Sequence, residues 1–302
     1  MPPDQSQIYS TQRVMDEELI SFGPVHLDIQ NLERSVKFWC DLVGLRAIET
    51  KDESATLGVE DEPLIVLHRS AMRPVHSGYS GIFHIAINLP SEPELARVLA
   101  RLRALDQRFG TTDHVIAKSI YVKDPDGIGL EITLETPERV RSFRWDEGAD
   151  GPLVIDSGGH RRRGVEPLNA EEILAKLPGD GAKRPLPRGA HVGHLHLQVG
   201  DLEASYRFYR DRIGLSPITY APWAGYGDLG ASGHVAHRVA LNTWQGVGVP
   251  PRPAGVAGMR RFTVRFQSKE RLREAIAKLG GAEARGAEYL ACDPDGNAMA
   301  LE

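Results

Sequence analysis

VHLDIQNLERSVKFWCDLVGL (residues 25–45) and LHLQVGDLEASYRFYRDRIGL (residues 195–215) align with each other without a gap. Each stretch opens with an alternating run that is typical of a β-strand and contains one aligned histidine. An Asn or Asp then stands where a helix N-cap is expected, and an amphipathic run follows that ends at a Gly. The two stretches therefore predict the same strand–helix unit at two places in the chain.

A second pair of segments repeats this order. GIFHIAINLPSEPELARVLARLRAL begins at Gly81, and MRRFTVRFQSKERLREAIAKLGG begins at Met259. Each predicts a strand and a helix, and then runs through alternating segments into a DPDG turn. Internal repetition is a strong guide to architecture. We therefore predict an α+β fold built from four βαβββ modules, at residues 24–70, 81–135, 191–244 and 259–302.

The predicted modules divide two and two along the chain. Residues 1–22 are interpreted as an N-terminal arm, residues 23–135 hold modules 1 and 2, and residues 191–302 hold modules 3 and 4. Residues 136–190 form a connector rich in Gly, Pro and charged residues, with a short helix predicted near residues 170–177.

The composition is that of an ordinary globular protein. Of 302 residues, 41% are hydrophobic and 25% are charged, and the net charge of −5 argues against nucleic acid as a partner. No apolar run approaches the roughly 20 residues of a membrane span, and the N-terminus lacks a signal-peptide pattern. Cys40 and Cys292 lie far apart, which predicts free thiols. We expect a cytoplasmic protein without a membrane partner.

The repeated module resembles those of the vicinal oxygen chelate superfamily. This superfamily contains glyoxalase I, antibiotic-resistance proteins and the extradiol ring-cleaving dioxygenases. The resemblance covers nearly everything after residue 22. It implies that the modules pair into two cupped-sheet domains, and that a cup holds a metal ion.

The resemblance also implies where metal ligands lie: on the first strand of a module, and on its last strand just after DPDG. In module 2 these positions hold His84 and Glu131. The third ligand is His196 if module 2 pairs with module 3, and His26 if it pairs with module 1. Two imidazoles and one carboxylate with open positions are typical of non-haem Fe(II) sites.

Module 4 carries Arg261 and Ala300 at the matching positions, and neither side chain can ligate a divalent cation. We therefore expect one divalent metal per chain, with Fe(II) favoured and Mn(II) as the alternative. His237 favours the pairing of module 2 with module 3, because extradiol dioxygenases carry an acid–base histidine at the corresponding place on the last strand. Module 1 has aliphatic residues there, with His68 out of register, so His196 is preferred over His26.

One segment of module 2, TDHVIAKSIYVKDPDGIGLEI (residues 112–132), narrows the resemblance. The spacing of His114, Tyr121, the DPDG turn and Glu131 resembles that of extradiol dioxygenases, and the whole layout is similar to bacterial catechol-2,3-dioxygenase-like proteins. The resemblance implies that His237 or His114 moves protons. It also implies that Tyr121 donates a hydrogen bond to a substrate oxygen at the metal.

The resemblance thus predicts an extradiol dioxygenase of aromatic catabolism, with a small aromatic diol and O₂ as substrates. Trp223, Tyr226 and Trp244 are candidates to line a pocket for the ring. Assembly into a homo-oligomer is left open. The alternatives are a metal-dependent glyoxalase or thiol transferase, and a small-molecule-binding resistance protein. The first usually has a carboxylate in each paired module and the second lacks metal ligands, so both fit less well.

Overall fold

The computed structural model describes residues 18–231, 236–280 and 282–302. Most of the predicted N-terminal arm, residues 1–17, lies outside the described residues. The first strand begins at Ile20, inside the stretch assigned to that arm. From there the elements follow the predicted βαβββ order in all four modules.

The elements are as follows, taken in chain order. Module 1 consists of β1 (Ile20–Ile29), α1 (Leu32–Lys37), β2 (Arg46–Thr50), β3 (Ser54–Val59) and β4 (Glu62–Arg69). Module 2 consists of β5 (Gly81–Asn88), α2 (Glu92–Ala104), β6 (Gly110–Asp113), β7 (Ala117–Lys123) and β8 (Gly129–Glu135). The connector holds β9 (Val140–Arg144), β10 (Leu153–Asp156), β11 (Arg161–Arg163) and α3 (Ala170–Leu174). Module 3 consists of β12 (His191–Gln198), α4 (Leu202–Arg207), β13 (Ser216–Ala221), β14 (Tyr226–Gly230) and β15 (Val239–Asn242). Module 4 consists of β16 (Gly258–Phe266), α5 (Lys269–Leu279), β17 (Glu283–Arg285), β18 (Glu288–Cys292) and β19 (Ala298–Leu301).

The modules pair across the two halves of the chain. One eight-stranded sheet has the order β17-β18-β19-β16-β1-β4-β3-β2 and joins modules 4 and 1. The other has the order β13-β14-β15-β12-β5-β8-β7-β6 and joins modules 3 and 2. In each sheet the first strands of the two modules are antiparallel neighbours. The preferred pairing of module 2 with module 3 is confirmed, as is the α+β fold class.

Local sequence explains the helices that open modules 1 and 3. Asn31 and Asp201 cap α1 and α4, because each side chain accepts a hydrogen bond from the backbone N–H three residues further on. Both helices continue as π-helical segments, Phe38–Val43 and Phe208–Ile213. Each then ends at the glycine that the two aligned stretches share, which adopts the left-handed conformation.

The DPDG turns fasten one sheet to the other. Asp126 accepts a hydrogen bond from the backbone N–H of Gln30 at 2.9 Å and pairs with Arg34 on α1. In the same way, Asp295 accepts a hydrogen bond from the N–H of Gly200 at 2.7 Å. The turn before the last strand of modules 2 and 4 therefore holds the start of a helix in a module of the other sheet.

One continuous apolar core lies between the sheets and their helices. Its fully buried members include Trp39 in module 1, Leu99 on α2 and Phe262 on β16. Burying a large apolar side chain of this kind stabilises the fold by about 1.5–3 kcal/mol. Among the described helices, none combines the length and the apolar character needed to cross a membrane.

The connector has more structure than its sequence predicts. The helix expected near residues 170–177 is α3, but β9, β10 and β11 also form a three-stranded antiparallel sheet. Val140 and Val154 of this sheet pack against Val115, which lies between β6 and β7. The connector is thereby held against module 2.

Asp124, in the DPDG turn of module 2, makes stability depend on pH. Its Oδ1 accepts hydrogen bonds from the backbone N–H groups of Asp126 and Ile128, whereas its Oδ2 is buried without a partner among the described residues. Burial raises the pKa of this carboxyl from 3.8 to about 7. The folded state therefore favours the neutral acid. This contribution to stability is complete below the unfolded pKa and is lost as the pH rises through the folded pKa.

We expect Asp124→Asn, which cannot ionise, to flatten this part of the pH profile. The free energy of unfolding, measured by urea titration between about pH 4 and about pH 8, should fall less with rising pH than in the wild type, by up to about 4 kcal/mol. Asp61→Asn, at an exposed position, serves as the control and should follow the wild-type profile. Parallel profiles for Asp124→Asn and the wild type would contradict the assignment.

Candidate metal centre and its cavity

Three buried side chains converge in the sheet that joins modules 2 and 3. They are His84 on β5, Glu131 on β8 and His194 on β12. Nε2 of His84 lies 2.9 Å from Oε2 of Glu131, and Nε2 of His194 lies 3.1 Å from the same oxygen. The two Nε2 atoms are 3.3 Å apart. Within the described residues, this is the group of three His, Cys, Asp or Glu side chains whose ligand atoms lie within 4.8 Å of one another.

Strand register brings these three side chains together. His194 lies opposite Ala86 in the antiparallel pairing of β12 with β5, and Ala86 lies opposite Glu131 in the parallel pairing of β5 with β8. His84 precedes Ala86 by two residues, so its side chain faces the same side of the sheet. The pairing of modules and the two-residue period of a strand therefore place all three over one spot.

The carboxylate of Glu131 is held ionised between the two imidazoles. Burial alone would raise the pKa of Glu131, but its interactions with His194 and His84, which include a hydrogen bond from each, outweigh this and hold the pKa well below its usual value. Burial lowers the pKa of His194 to about 4, so its ring is neutral at neutral pH. Ser119 donates a hydrogen bond to Oε1 of Glu131 at 2.6 Å, which leaves Oε2 facing the histidines.

The donor atoms fit a divalent metal ion. Neutral imidazole nitrogens and an ionised carboxylate oxygen are suitable ligands for first-row metals. In the described part of the chain, no arginine or lysine contacts Glu131, and a buried carboxylate without a cation is costly. The His–Glu–His group could therefore hold one metal ion.

The third member of this group is His194, whereas the sequence predicts His196. His196 lies two residues further along β12, and its Nε2 accepts a hydrogen bond from the side-chain amide of Asn242 at 2.9 Å. Both histidines line the same cavity, because alternate residues of a strand face one side. However, His196 lies opposite His84, one step along the sheet from the row that contains Glu131. The group of three converging side chains therefore contains His194, and the predicted ligand His196 lies in the same cavity two residues further along β12.

The alternative ligand, His26, lies in the other sheet. Its Nδ1 is 2.9 Å from Nε2 of His68, and the two rings stack. Burial lowers the pKa of His26 to about 3. Nearby, Arg261 pairs with Glu288 at 2.9 Å. This cup thus carries a histidine pair and an ion-paired arginine, and Ala300 lies opposite Thr263, at the place that Glu131 has in the other cup.

His237 lies beside the His–Glu–His group. The sequence places it on the last strand of module 3, whereas β15 begins at Val239, where its pairing with β14 starts. The His237 ring centroid is 4.4 Å from that of His194, and Nδ1 lies 3.3 Å from Oδ2 of Asp228. Burial disfavours its protonation, but the hydrogen bond to Asp228 outweighs burial and raises the pKa. Its Nε2 is buried and has no partner among the described residues.

Tyr121 and His114 form a hydrogen-bonded pair on the other side of the group. The carbonyl of Gly164 accepts a hydrogen bond from Nδ1 of His114 at 2.7 Å, so Nε2 accepts one from the Tyr121 hydroxyl at 2.9 Å. Tyr121 lies opposite Glu131 across β7 and β8, and its ring centroid is 5.7 Å from that of His84. The structure therefore brings both predicted residues next to the His–Glu–His group.

A cavity of about 510 Å³ opens over the group. Tyr226 and Trp244 stack in its wall with ring centroids 6.2 Å apart, and Phe83 meets Trp244 edge-on at 5.6 Å. Trp223, the third predicted aromatic, is not among the described lining residues. Trp145 of the connector lines the cavity, 5.5 Å from the ring of Tyr226.

Comparison with known proteins places the chain in a family. Residues 22–132 and 191–300 match the family model of the Glyoxalase/Bleomycin resistance protein/Dioxygenase superfamily. The chain belongs to this superfamily. Within it, the chain is 30% identical over 254 residues to the catechol-2,3-dioxygenase of Bacillus subtilis (strain 168), a match that covers 83% of this chain and 84% of that protein.

Solved structures share the superfamily fold. A suggested dioxygenase from Bacillus subtilis superposes with a TM-score of 0.59 at 12% identity, covering 95% of this chain and 86% of that one. Glyoxalase I from Zea mays superposes with a TM-score of 0.52 at 16% identity, covering 93% of this chain and 92% of that one. At these identities, the two structures show the fold and leave the reaction of this superfamily member open.

Sequence reasoning missed three residues of this superfamily member's site. The alternation His-Leu-His indicates that His194 and His196 face the same side of the strand, but the aligned repeat matches His196 with His26 and so favours His196. Asp228 lies within a short polar–apolar strand, YGDLG, and only the fold brings it to His237. Trp145 belongs to the connector, for which the repeat makes no prediction.

The identity of the third ligand can be tested by metal binding. We expect His194→Ala to weaken Fe(II) binding by at least about 100-fold, because one of three converging donors is lost. His196→Ala removes a side chain that contacts Asn242 instead, so its affinity should stay within a few-fold of the wild type. Anaerobic isothermal titration calorimetry measures both. Loss of binding in His196→Ala with retention in His194→Ala would return the third position to His196.

Proposed function

We propose that the chain is an extradiol ring-cleaving dioxygenase that acts on a catechol-type diol with O₂. The observation that carries this proposal is the His–Glu–His group at the base of an aromatic cavity, with His237 and Tyr121 on either side. Its similarity to a catechol-2,3-dioxygenase over most of both chains supports the same reaction. We further propose that the metal is Fe(II), with Mn(II) as the alternative, and that His84, Glu131 and His194 hold it.

The reaction needs no external reductant. The bond that breaks joins one hydroxyl-bearing ring carbon to the adjacent carbon that has no hydroxyl. Both atoms of O₂ enter the product, so the diol supplies all the electrons. When bound, Fe(II) with three protein ligands supplies open positions for the diol oxygens and O₂. The protein's remaining task is to take protons from the diol, hold them and return them.

His237 is placed to accept one of these protons. Because Nδ1 faces the carboxylate of Asp228, Nε2 is the nitrogen that is free to face a substrate hydroxyl. Asp228 is itself fixed by hydrogen bonds from the Tyr226 hydroxyl at 2.9 Å and from the backbone N–H of Thr219 at 2.7 Å. A carboxylate held in this way stabilises the imidazolium that forms when His237 takes up a proton.

Tyr121 offers a second route for a proton. Its hydroxyl hydrogen is directed at Nε2 of His114, so its oxygen can accept a hydrogen bond from a substrate hydroxyl. This differs from the donor role that the resemblance implies for Tyr121. A proton taken by the Tyr121 oxygen can pass to His114, while the Gly164 carbonyl stabilises the charge on the ring. The two pairs thus handle protons from opposite sides of the diol.

The geometry supports a glyoxalase less well. That alternative usually has a carboxylate from each of the two paired modules. His196, two residues past His194, lies opposite Ala240, just as Ala86, two residues past His84, lies opposite Glu131. Ala240 therefore stands at the position in module 3 that corresponds to Glu131, and its side chain has no carboxylate.

Mass spectrometry of the product tests the proposed reaction. We expect anaerobically Fe(II)-loaded protein, supplied with catechol and O₂, to yield a yellow muconic semialdehyde that contains both oxygen atoms of labelled O₂. A muconate would indicate intradiol cleavage. Turnover of methylglyoxal with a thiol, in the absence of catechol cleavage, would replace the proposal by the glyoxalase alternative.

His237→Gln tests the acid–base role separately from metal binding. We expect this variant to keep its metal, because His237 lies outside the His–Glu–His group, and to lose roughly 10²–10⁴-fold in kcat, the usual worth of a general acid–base. His68→Gln, in the cup of the other sheet, is the matched control and should turn over at the wild-type rate. A wild-type kcat in His237→Gln would remove this residue from the mechanism.

A further inference from the structure

The cavity above the His–Glu–His group is larger than the proposed reaction requires. Its volume of about 510 Å³ lies in the range of roughly 300–1,000 Å³ that holds drug-sized ligands, whereas catechol is a single small ring. The diol oxygens have to lie at the base, near Glu131. The space above is therefore left for a substituent on the ring.

The outer part of this cavity is a wall built by the connector. Phe143, Trp145, Pro152 and Val165 line it, and all four come from the segment between the two halves of the chain. The Trp145 ring lies 5.5 Å from that of Tyr226, which in turn stacks on Trp244. We call the four connector residues the connector wall.

The connector wall is anchored to module 2. The backbone of Glu166 exchanges two hydrogen bonds with that of Asp113, at 2.8 and 3.0 Å. The carboxylate of Asp113 pairs with Arg139 at 2.7 Å, and the Thr136 hydroxyl donates to the Val115 carbonyl at 2.9 Å. These contacts flank the wall on both sides in sequence, so its shape is set before a ligand arrives.

Apart from its histidines, the ionisable side chains with a charge that line the cavity are acidic. Its described lining includes the carboxylates of Glu131, Glu135 and Asp228, and no lysine or arginine. Arg238 does not change this, because it is already paired with Glu135 at 2.8 Å. An anionic substituent held against the four uncharged residues of the connector wall would therefore lose its water without gaining a cation there, which is costly. An apolar substituent has no such desolvation cost, and it gains contact with the faces of the aromatic rings.

We propose that the connector wall is a specificity site that takes an uncharged, apolar substituent of the diol, and that it discriminates against anionic substituents. The inference rests on the proposed function for the position of the diol. The connector wall, which belongs to none of the four modules, then selects the substituent.

Equilibrium binding under anaerobic conditions tests this without turnover. Isothermal titration calorimetry on Fe(II)-loaded protein compares catechol, isopropylcatechol, phenylcatechol and carboxyl-substituted catechol. We expect isopropylcatechol to bind at least about 100-fold more tightly than the carboxyl compound, which is similar in size. Phenylcatechol should bind at least about tenfold more tightly than catechol. Equal affinities within either pair would overturn the inference.

Two substitutions in the connector wall assign the effect to it. Trp145→Ala should weaken phenylcatechol roughly tenfold and leave catechol unchanged. Val165 is 58% exposed, so Val165→Lys places a cation at the mouth without burying it. This variant should bind carboxyl-substituted catechol roughly tenfold more tightly, while Val165→Gln, the neutral control, should not. Loss of catechol and phenylcatechol binding in equal measure in Trp145→Ala would contradict a role in selection.

The result can be separated from that of the proposed reaction. If the binding order holds but no diol is cleaved, the specificity site stands and the dioxygenase proposal fails. If catechol is cleaved but the carboxyl compound binds as well as isopropylcatechol, the dioxygenase proposal stands and the specificity site fails.

Discussion

The antiparallel pairing of β5 with β12 is the contact on which the candidate site depends. It joins two strands from different halves of the chain and aligns His194 with the row that runs through Ala86 to Glu131. Although 63 positions separate Glu131 from His194 in sequence, their side chains lie within hydrogen-bonding distance. The site therefore forms only where modules 2 and 3 meet, and neither module contains it alone.

The contact between modules 2 and 3 buries the carboxylate of Glu131, and nearby groups have to stabilise its charge. Glu131 is fully enclosed, and its partners there are two imidazoles and the Ser119 hydroxyl. Hydrogen bonds of this kind offset part of the cost of burying a carboxylate, and a metal cation would offset most of the rest. Asp228 extends the polar group on one side, while aromatic rings line the cavity above it. A cavity with polar side chains at its bottom and aromatic rings in its wall is suited to a planar substrate with two adjacent oxygens.

Much of this could be predicted from the sequence because the modules repeat. Alternation and capping residues locate the strands and helices, and the place of His84 and Glu131 within a module follows from the family resemblance. The choice of His194 over His196 could not be made from the sequence, because both side chains face the cavity from alternate positions of β12. Two histidines that alternate on one strand have the same local pattern. The connector wall also could not be predicted from the sequence, because the connector occurs once and has no repeat to be compared with.

The interleaved strand order also bears on how the chain reaches its folded state. β1 has neighbours in β4, close in sequence, and in β16, more than two hundred residues away. β5 likewise lacks one of its neighbours until β12 has been synthesised. Loops of this length make closure slow, and strands without their neighbours expose edges that can pair with other molecules. The first half of a newly synthesised chain therefore carries two open sheet edges until the second half emerges, and this interval is when the protein is most exposed to aggregation.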